Sequence, residues 1–165
     1  MNNKDTQNNI EKLSSCSKEP RQILESIILK IETVLSRELL EQAMKDFVSL
    51  QNEWDETLTP ELKENESELI NHYLSVCDNF IQQRDWALWA NYKKKEEICS
   101  NLTTLFEENL SQASIDQFSA LRSEWKNTGP VPEGKRNKLW KKYRTICKQL
   151  YEKNIEFYQE KEKVK

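Results

Sequence analysis

The amino-acid sequence predicts an all-α protein, and two observations carry that prediction. A helix–turn–helix pattern occurs twice along the 165 residues, once through Trp54 and Tyr73 and again through Trp125 and Tyr143. The composition includes only 2 Gly and 4 Pro, which favours long helices over strands that need turns. Repeated helical hairpins stack around a continuous apolar core. We therefore expect an elongated, coiled-coil-like helical bundle of about five helices, built from two helical-hairpin repeats.

The two copies of the hairpin are related by nearly constant offsets. The Trp residues lie 71 positions apart and the Tyr-x-x-aliphatic-Cys motifs 70 apart, so the turns differ by one residue. The apolar positions of the second helix in each copy are Leu69, Tyr73, Val76, Cys77 and Phe80, and Leu139, Tyr143, Ile146, Cys147 and Leu150. The aromatic residues expected in the core or against the turns are Trp54, Trp125, Trp140, Tyr73 and Tyr143.

The N-terminal part of the chain is predicted to contain a tail and two helices. Residues 1–17 are rich in Asn, Gln, Ser and Lys without apolar periodicity, which is typical of a disordered tail. Pro20 suits the first turn of a helix over about 20–35, where aliphatic residues recur at helical spacing. Ser36 is the predicted N-cap of a second helix that ends near Glu56.

A long helix is predicted in the middle of the chain. Thr59 and Pro60 have the pattern of an N-cap followed by an N1 proline, and no further Gly or Pro occurs before Gly129. We therefore expect a helix to about Glu108. Such a length exceeds what a compact domain needs, so we also expect a bend or break within 82–85.

The last two helices are predicted from capping and proline signals. Ser114–Gln117 fits a capping box at the start of a fourth helix, and Gly129 fits the C′ position after its end, with a positive φ. Pro130 and Pro132 make the following corner stiff. Pro132 then opens a last helix that should run to about residue 160.

Charge divides the chain in the same way as the repeats. Between Arg37 and Glu68 there are ten acids and three bases, whereas between Lys135 and Lys153 there are eight bases and one acid. The predicted organisation is a disordered tail (1–17), an N-terminal helix plus an acidic first repeat with the long helix (18–108), and a basic second repeat (109–165).

One stretch of the second copy resembles a known family. The segment Leu121–Pro132 (LRSEWKNTGPVP), followed by Leu139–Tyr143, resembles the bacterial domain of unknown function 349 family, and Lys93–Cys99 looks like the Lys-rich stretch that joins successive copies there. The resemblance covers about 39–160 as two divergent copies, the first of which lacks the Gly-Pro-x-Pro turn. It implies a helical repeat fold and a bacterial cytoplasmic setting, and it implies no catalytic residue.

The sequence predicts no enzyme active site, cofactor or metal site. His72, the only His, has no obvious orienting carboxylate, and the acids between Glu64 and Glu68 suit a solvated helix face. The four Cys lack any Cys-x-x-Cys pair, and Cys77 and Cys147 occupy matching apolar positions, which indicates reduced core residues rather than zinc ligands. With 2 Gly, no phosphate-cradling loop of known pattern is present.

The sequence also predicts neither a membrane span nor a secretory signal. The apolar stretch Ile23–Ile31 is short and is broken by Glu25 and Lys30, and the first residues lead into no apolar segment. We therefore expect a cytoplasmic location.

The basic side of the last helix is the candidate partner-binding site. Its apolar residues share one side of a helical wheel and most of its bases share the other, as expected for a phosphate-binding surface. The same stripe also suits a solvated helix face, or contact with the acidic copy of the same or another molecule. The candidate residues are Lys135, Lys138, Lys141, Lys142, Arg144 and Lys148.

Two tryptophans form a second candidate contact. Trp86 and Trp89 fall on another side of the long helix, where they either pack under a neighbouring helix or contact a partner. We expect a non-enzymatic cytoplasmic module that contacts RNA or a ribonucleoprotein through the basic face of its last helix. The alternative is a protein–protein adaptor or self-associating scaffold, in which the acidic copy meets the basic copy or the two tryptophans bury against a partner helix.

Overall fold

A computed structural model describes residues 19–164, which form six helices and no strand. The helices are α1 (Pro20–Arg37), α2 (Leu40–Thr57), α3 (Pro60–Asn65), α4 (Ser67–Glu107), α5 (Gln112–Asn127) and α6 (Glu133–Lys163). The all-α class is therefore confirmed. There is one helix more than the five expected, because the segment after Thr59 forms two helices. The predicted tail, 1–17, lies outside the described residues.

The boundary between α1 and α2 differs from the sequence prediction. α1 begins at Pro20 as expected, but it continues to Arg37, and Leu39 rather than Ser36 occupies the N-cap position of α2. The Ser36 hydroxyl donates a hydrogen bond to the Thr33 carbonyl at 2.7 Å, inside the last turn of α1. Serine readily makes such local bonds to the preceding turn. The predicted N-cap was therefore wrong.

The long middle helix is interrupted early and then continuous. Thr59 caps α3 as predicted, since its hydroxyl oxygen accepts a hydrogen bond from the Leu62 amide at 3.2 Å. Glu66 then leaves the helical conformation, with φ −118° and ψ 52°, before α4 begins. α4 runs without a break through 82–85, where the sequence prediction placed one. The interruption falls instead beside Asn65 and Ser67, residue types that compete with the helix for backbone hydrogen bonds.

The chain divides into two compact units, Met1–Gln82 and Gln83–Lys165, so the boundary lies within α4 and before the predicted boundary after residue 108. Within the described part of the first unit, α1, α2 and the beginning of α4 bury an apolar core. Trp54 stacks on Tyr73 in this core, with ring centroids 3.7 Å apart. α4 contributes residues to both units. The predicted first repeat contained the whole long helix, so its end does not coincide with the boundary between the two packed units.

The second unit has its own core, to which α4, α5 and α6 contribute. Leu102 of α4 is fully buried, and Trp125 of α5 stacks on Tyr143 of α6 with ring centroids 3.8 Å apart. Trp140 is the exception among the aromatic residues expected in the core, since 49% of it is exposed. It follows the buried Leu139 on α6 and touches the core aromatics only at a tilt. Of the two predicted positions, core or turn, it fits the turn, since it lines one depression together with Val131.

The start of α5 uses a serine one turn earlier than predicted. Ser111 is the N-cap, and its hydroxyl oxygen accepts a hydrogen bond from the Ser114 amide at 3.3 Å. The Ser114 hydroxyl oxygen accepts in return from the Ser111 amide at 2.8 Å, which completes a capping box. Ser114 is therefore the third helical residue and not the N-cap. Ser114 is buried whereas Ser111 is exposed, which explains why Ser111 and not Ser114 is the N-cap.

Gly129 accommodates a close approach of a side chain and has ordinary backbone angles. No residue of the described chain, Gly129 included, has a positive φ, so that prediction was wrong. A Cβ atom at Gly129 would lie 2.8 Å from the Asn91 side-chain nitrogen. That nitrogen donates a hydrogen bond to the Pro130 carbonyl at 2.9 Å. The glycine therefore leaves room for an amide of α4 that holds the corner before α6.

Candidate functional site

A groove of about 840 Å³ in the second unit combines cationic and aromatic side chains. Within the described chain, its cations are Lys95, Arg122, Lys126, Arg144 and Lys148. Its aromatic residues are Phe118, Trp125, Trp140, Tyr143 and Tyr151. None of the described residues that line it is a carboxylate. We call this surface the cationic groove.

Helical spacing explains how the cationic groove is built. Trp140, Arg144 and Lys148 are four residues apart, and Tyr151 follows three later, so they share one side of α6. Phe118, Arg122 and Lys126 have the same spacing on α5, and Lys95 comes from α4. Because Phe118, Trp125 and Tyr143 also belong to the buried core, the walls of the groove rest on rigid packing.

The positive surface continues beyond the groove. An adjoining depression of about 420 Å³ shares Lys95, Trp125 and Trp140 with it and adds Arg136. No carboxylate of the described residues lines this depression either. The cations are therefore distributed along a surface rather than gathered at one point.

Lys95 shows that this positive charge is not neutralised within the structure. Its ammonium nitrogen lies 4.6 Å from the centroid of the Trp125 ring, and the side chain is half-buried. Burial lowers the pKa of Lys95, and repulsion from Arg136 lowers it further. Among the ion pairs of residues 19–164, none involves Lys95 or the other cations of the groove. A bound anion would relieve both the repulsion and part of the desolvation.

Two groups that line the groove, the Tyr143 hydroxyl and the Cys147 thiol, are held in their neutral forms. Burial raises the pKa of Tyr143 and also that of Cys147, to which the Tyr143 side chain is hydrogen-bonded. Arg122, close enough to favour the ionised forms of both groups, does not reverse either shift. The thiolate, which is the reactive form of cysteine, is therefore disfavoured at Cys147.

The bases predicted on the last helix do not form one face. Arg144 and Lys148 line the cationic groove. Lys135 lies on a different side of α6, with its ammonium nitrogen 5.0 Å from the centroid of the Tyr92 ring and 5.8 Å from that of Trp89. The structure thus brings only two of the six predicted bases into the groove.

The remaining three predicted bases do not line the groove. Lys142 is close enough to Glu96 to contribute to the lowered pKa of that carboxyl, after the hydrogen bond from Tyr92 and the charge of Lys93. Lys138 and Lys141 are exposed and do not line the groove. Lys138 and Lys142 supply matched controls for it, whereas Lys141, seven residues before Lys148, lies on nearly the same side of α6 as that groove residue.

The two tryptophans of the second candidate contact lie outside the groove. Trp86 is 77% exposed, so it does not pack under a neighbouring helix. Trp89 is 42% exposed and lies beside Tyr92, with the Lys93 ammonium nitrogen 4.9 Å from its ring centroid. Both remain candidates for a contact with a partner.

The repeat offsets single out groove cations that sequence reasoning missed. At the positions equivalent to Arg122, Lys126, Arg144 and Lys148, the first copy carries Gln51, Asp55, Leu74 and Asp78. The buried positions, by contrast, keep their chemistry, as Phe47 and Phe118 or Tyr73 and Tyr143 show. The core of the repeat therefore does not depend on the cations. Lys95, Arg122 and Lys126 were missed because they lie on helices other than the last one.

His72 has a partner that is distant in sequence. Its Nε2 atom lies 3.1 Å from a carboxylate oxygen of Glu32, and both side chains are exposed. Over residues 19–164, no group of three or more His, Cys, Asp or Glu side chains is arranged to hold a metal ion. None of the helices described above is both long and apolar enough to cross a membrane.

Comparison with known proteins gives one match. No curated protein and no solved structure matches the chain significantly. Residues 61–134 match the model of a family described as Domain of Unknown Function (DUF349). The matched segment includes Lys95, Arg122 and Lys126 of the groove and ends before Arg144 and Lys148, and it does not separate the chain into two copies. The chain therefore contains a segment, 61–134, that matches the DUF349 family.

Proposed function

We propose that this chain is a non-enzymatic, cytoplasmic binding module that holds RNA, alone or within a ribonucleoprotein, in the cationic groove. The observation that carries the proposal is the lining itself, which pairs cations with aromatic rings and includes no carboxylate of the described residues. Cations attract the phosphates of the backbone, and aromatic rings accept bases.

The overall charge of the chain makes this local arrangement more informative. The net charge is −3, so a basic surface does not follow from the composition. Clefts lined by charges of one sign focus the electrostatic potential and steer ligands of the opposite sign. The groove is such a cleft, whereas the region from Arg37 to Glu68 has the opposite sign.

The first copy of the repeat supports a functional origin of the groove cations. It keeps the same Trp–Tyr stack without them and has Asp55 and Asp78 at two of their positions. Asp55 is close enough to Tyr73 to affect the pKa of that hydroxyl, as Arg122 does for Tyr143. The same framework thus carries opposite charges in the two copies, which favours a ligand as the reason for the cations.

The direct test is a titration of a fluorescently labelled RNA of mixed sequence with the full chain, followed by fluorescence anisotropy. We would compare the double variant Arg144→Glu, Lys148→Glu with a control, Lys138→Glu, Lys142→Glu. Both doubles lie on α6, change exposed side chains and alter the net charge equally. We expect wild-type affinity to fall strongly between about 50 mM and about 200 mM salt, because counterions are released on binding.

The two variants should then separate the groove from a general charge effect. The groove variant should bind at least about tenfold more weakly than the wild type, whereas the control should change affinity much less, through long-range attraction alone. Equal losses in the two variants would show that the groove is not the site. Absence of RNA binding by the wild type at the lower salt would overturn the proposal.

The alternative function is a protein–protein adaptor or self-associating scaffold, and one specific observation favours it. Trp86 is the most exposed tryptophan of the chain and takes no part in the groove. Exposed aromatic residues commonly anchor protein interfaces. A mass that rises with concentration in analytical ultracentrifugation and returns to the monomer value in Trp86→Ala would support this alternative.

A further inference from the structure

We infer that the ligand of the cationic groove is a single strand whose unpaired bases stack on Trp140 and Tyr151, an inference that rests on the proposed function. Both residues line the groove, and they are 49% and 60% exposed. They lie on one side of α6, three helical turns or about 16 Å apart. Two partly exposed rings therefore lie along the same side of one groove.

The core of the repeat does not require these two rings. At the equivalent positions, the first copy has Ile70 and Ile81, which are partly buried and pack against its apolar core. The second copy has larger rings at these positions, and they are 49% and 60% exposed. Exposing aromatic surface to water is unfavourable in free energy, and a ligand that stacks on the rings covers that surface.

Cations and aromatic rings both lie along α6, as a strand of phosphates and bases would require. Arg144 and Lys148 lie between Trp140 and Tyr151, and Arg122 and Lys126 line the groove from α5. Phosphates would contact the cations while bases rest on the rings. In a duplex the bases are already paired and stacked, so their faces are not available to side chains. Recognition through rings therefore selects a single strand, whereas cations alone would accept any polyanion.

The test compares one RNA in two states, as a single strand with a 2-aminopurine base and as the duplex with its complement. The variants are Tyr151→Ser and Trp140→Ser, with Trp86→Ser as the control outside the groove. Tyr151→Ser is the cleaner change, because Trp140 also touches Trp125 in the core. Circular dichroism and the melting temperature establish that each variant is folded.

We expect the wild type to bind the single strand at least about tenfold more tightly than the duplex and to change the 2-aminopurine fluorescence. Loss of one stacking ring should weaken single-strand binding about fivefold or more and leave duplex binding unchanged. Trp86→Ser should alter neither affinity. These results together would place unpaired bases on the two rings.

The outcomes also separate this inference from the proposed function. Equal, salt-sensitive binding of both RNA states, unaffected by Tyr151→Ser, would overturn the stacking inference and leave phosphate binding in the groove intact. Failure to bind either RNA state, together with tight binding of polyglutamate, would overturn both and identify an acidic protein segment as the ligand.

Discussion

The indole of Trp125 lies flat against the ring of Tyr143, with ring centroids 3.8 Å apart and planes inclined by 6°. Trp54 and Tyr73 make the same contact in the first unit, at 3.7 Å and 2°. Each stack joins the end of one helix to the second helix of its hairpin. We interpret this shared contact as the structural basis of the repeat. Among the described residues, the cationic groove lies in the second unit.

The stack should make a large contribution to stability. Trp54→Ala removes a nearly fully buried ring, and we expect it to lower the free energy of unfolding by about 3–5 kcal/mol, through lost burial and the cavity left behind. The half-exposed Trp140 is the control, because Trp140→Ala should cost clearly less. Urea denaturation followed by circular dichroism measures both. A cost below about 1 kcal/mol for Trp54→Ala would contradict the assignment of Trp54 to the core.

Gly129 and Asn91 should be energetically coupled. Gly129→Ala forces the Asn91 amide away from the Pro130 carbonyl, and loss of that hydrogen bond should cost about 1 kcal/mol. In an Asn91→Ala background the added methyl group meets no such obstacle, and it also restricts the unfolded chain. There the same change should be neutral or stabilising. A double-mutant cycle by urea denaturation measures the coupling, and strictly additive effects would show that Asn91 is not what requires the glycine.

Lys153 should stabilise the C-terminal end of α4. Its ammonium group donates hydrogen bonds to the carbonyls of Phe106 and Glu108, which lack partners at the end of a helix. Lys153→Met keeps most of the chain length but removes the donors, so we expect a loss of about 1 kcal/mol of unfolding free energy. Lys138→Met is the control at an exposed position of α6. Equal thermal stability of the two variants would contradict the capping role.

Stability should fall as the pH becomes alkaline. Burial is the main cause of a raised pKa at five groups, namely Tyr73, Tyr143, Cys77, Cys99 and Cys147. The folded chain therefore keeps protons that the unfolded chain releases, and its stability is complete below the unfolded pKa values, about 8.5 for thiols and about 10 for phenols. Lys95 acts in the opposite direction, because its pKa is lowered.

The five groups outnumber Lys95, so we expect the urea midpoint to decrease between about pH 7.5 and about pH 10. The decrease should begin as thiols ionise in the unfolded state and steepen as phenols follow. A midpoint that is constant or higher at the alkaline end would show that these groups are not protected by the fold.

Helical periodicity predicted the apolar core, because a helix that buries one side needs apolar residues at helical spacing on that side. The stripe through Tyr73, Val76 and Phe80 is buried as expected, and Leu102 and Leu139 extend the same pattern into the second unit. Caps were less predictable, because several polar residues compete for each position. Ser36 and Ser114 are both suitable N-caps by residue type, but the folded chain uses Ser36 within α1 and buries Ser114.

The candidate site was predictable only where it lies on a single helix. A helical wheel of the last helix grouped Arg144 and Lys148 with other bases, but it did not show which of them share a groove with Trp140 and Tyr151. Lys95 of α4 joins them only through tertiary packing, which periodicity within one helix does not reveal.

The most direct test of the groove as a binding site is photocrosslinking of a single-stranded RNA that contains 4-thiouridine, followed by trypsin digestion and mass spectrometry. We predict adducts on the peptides Leu139–Lys141 and Gln149–Lys153, which carry Trp140 and Tyr151. Adducts confined to Asp85–Lys93, which carries Trp86 and Trp89, or to the acidic first unit, would contradict the account.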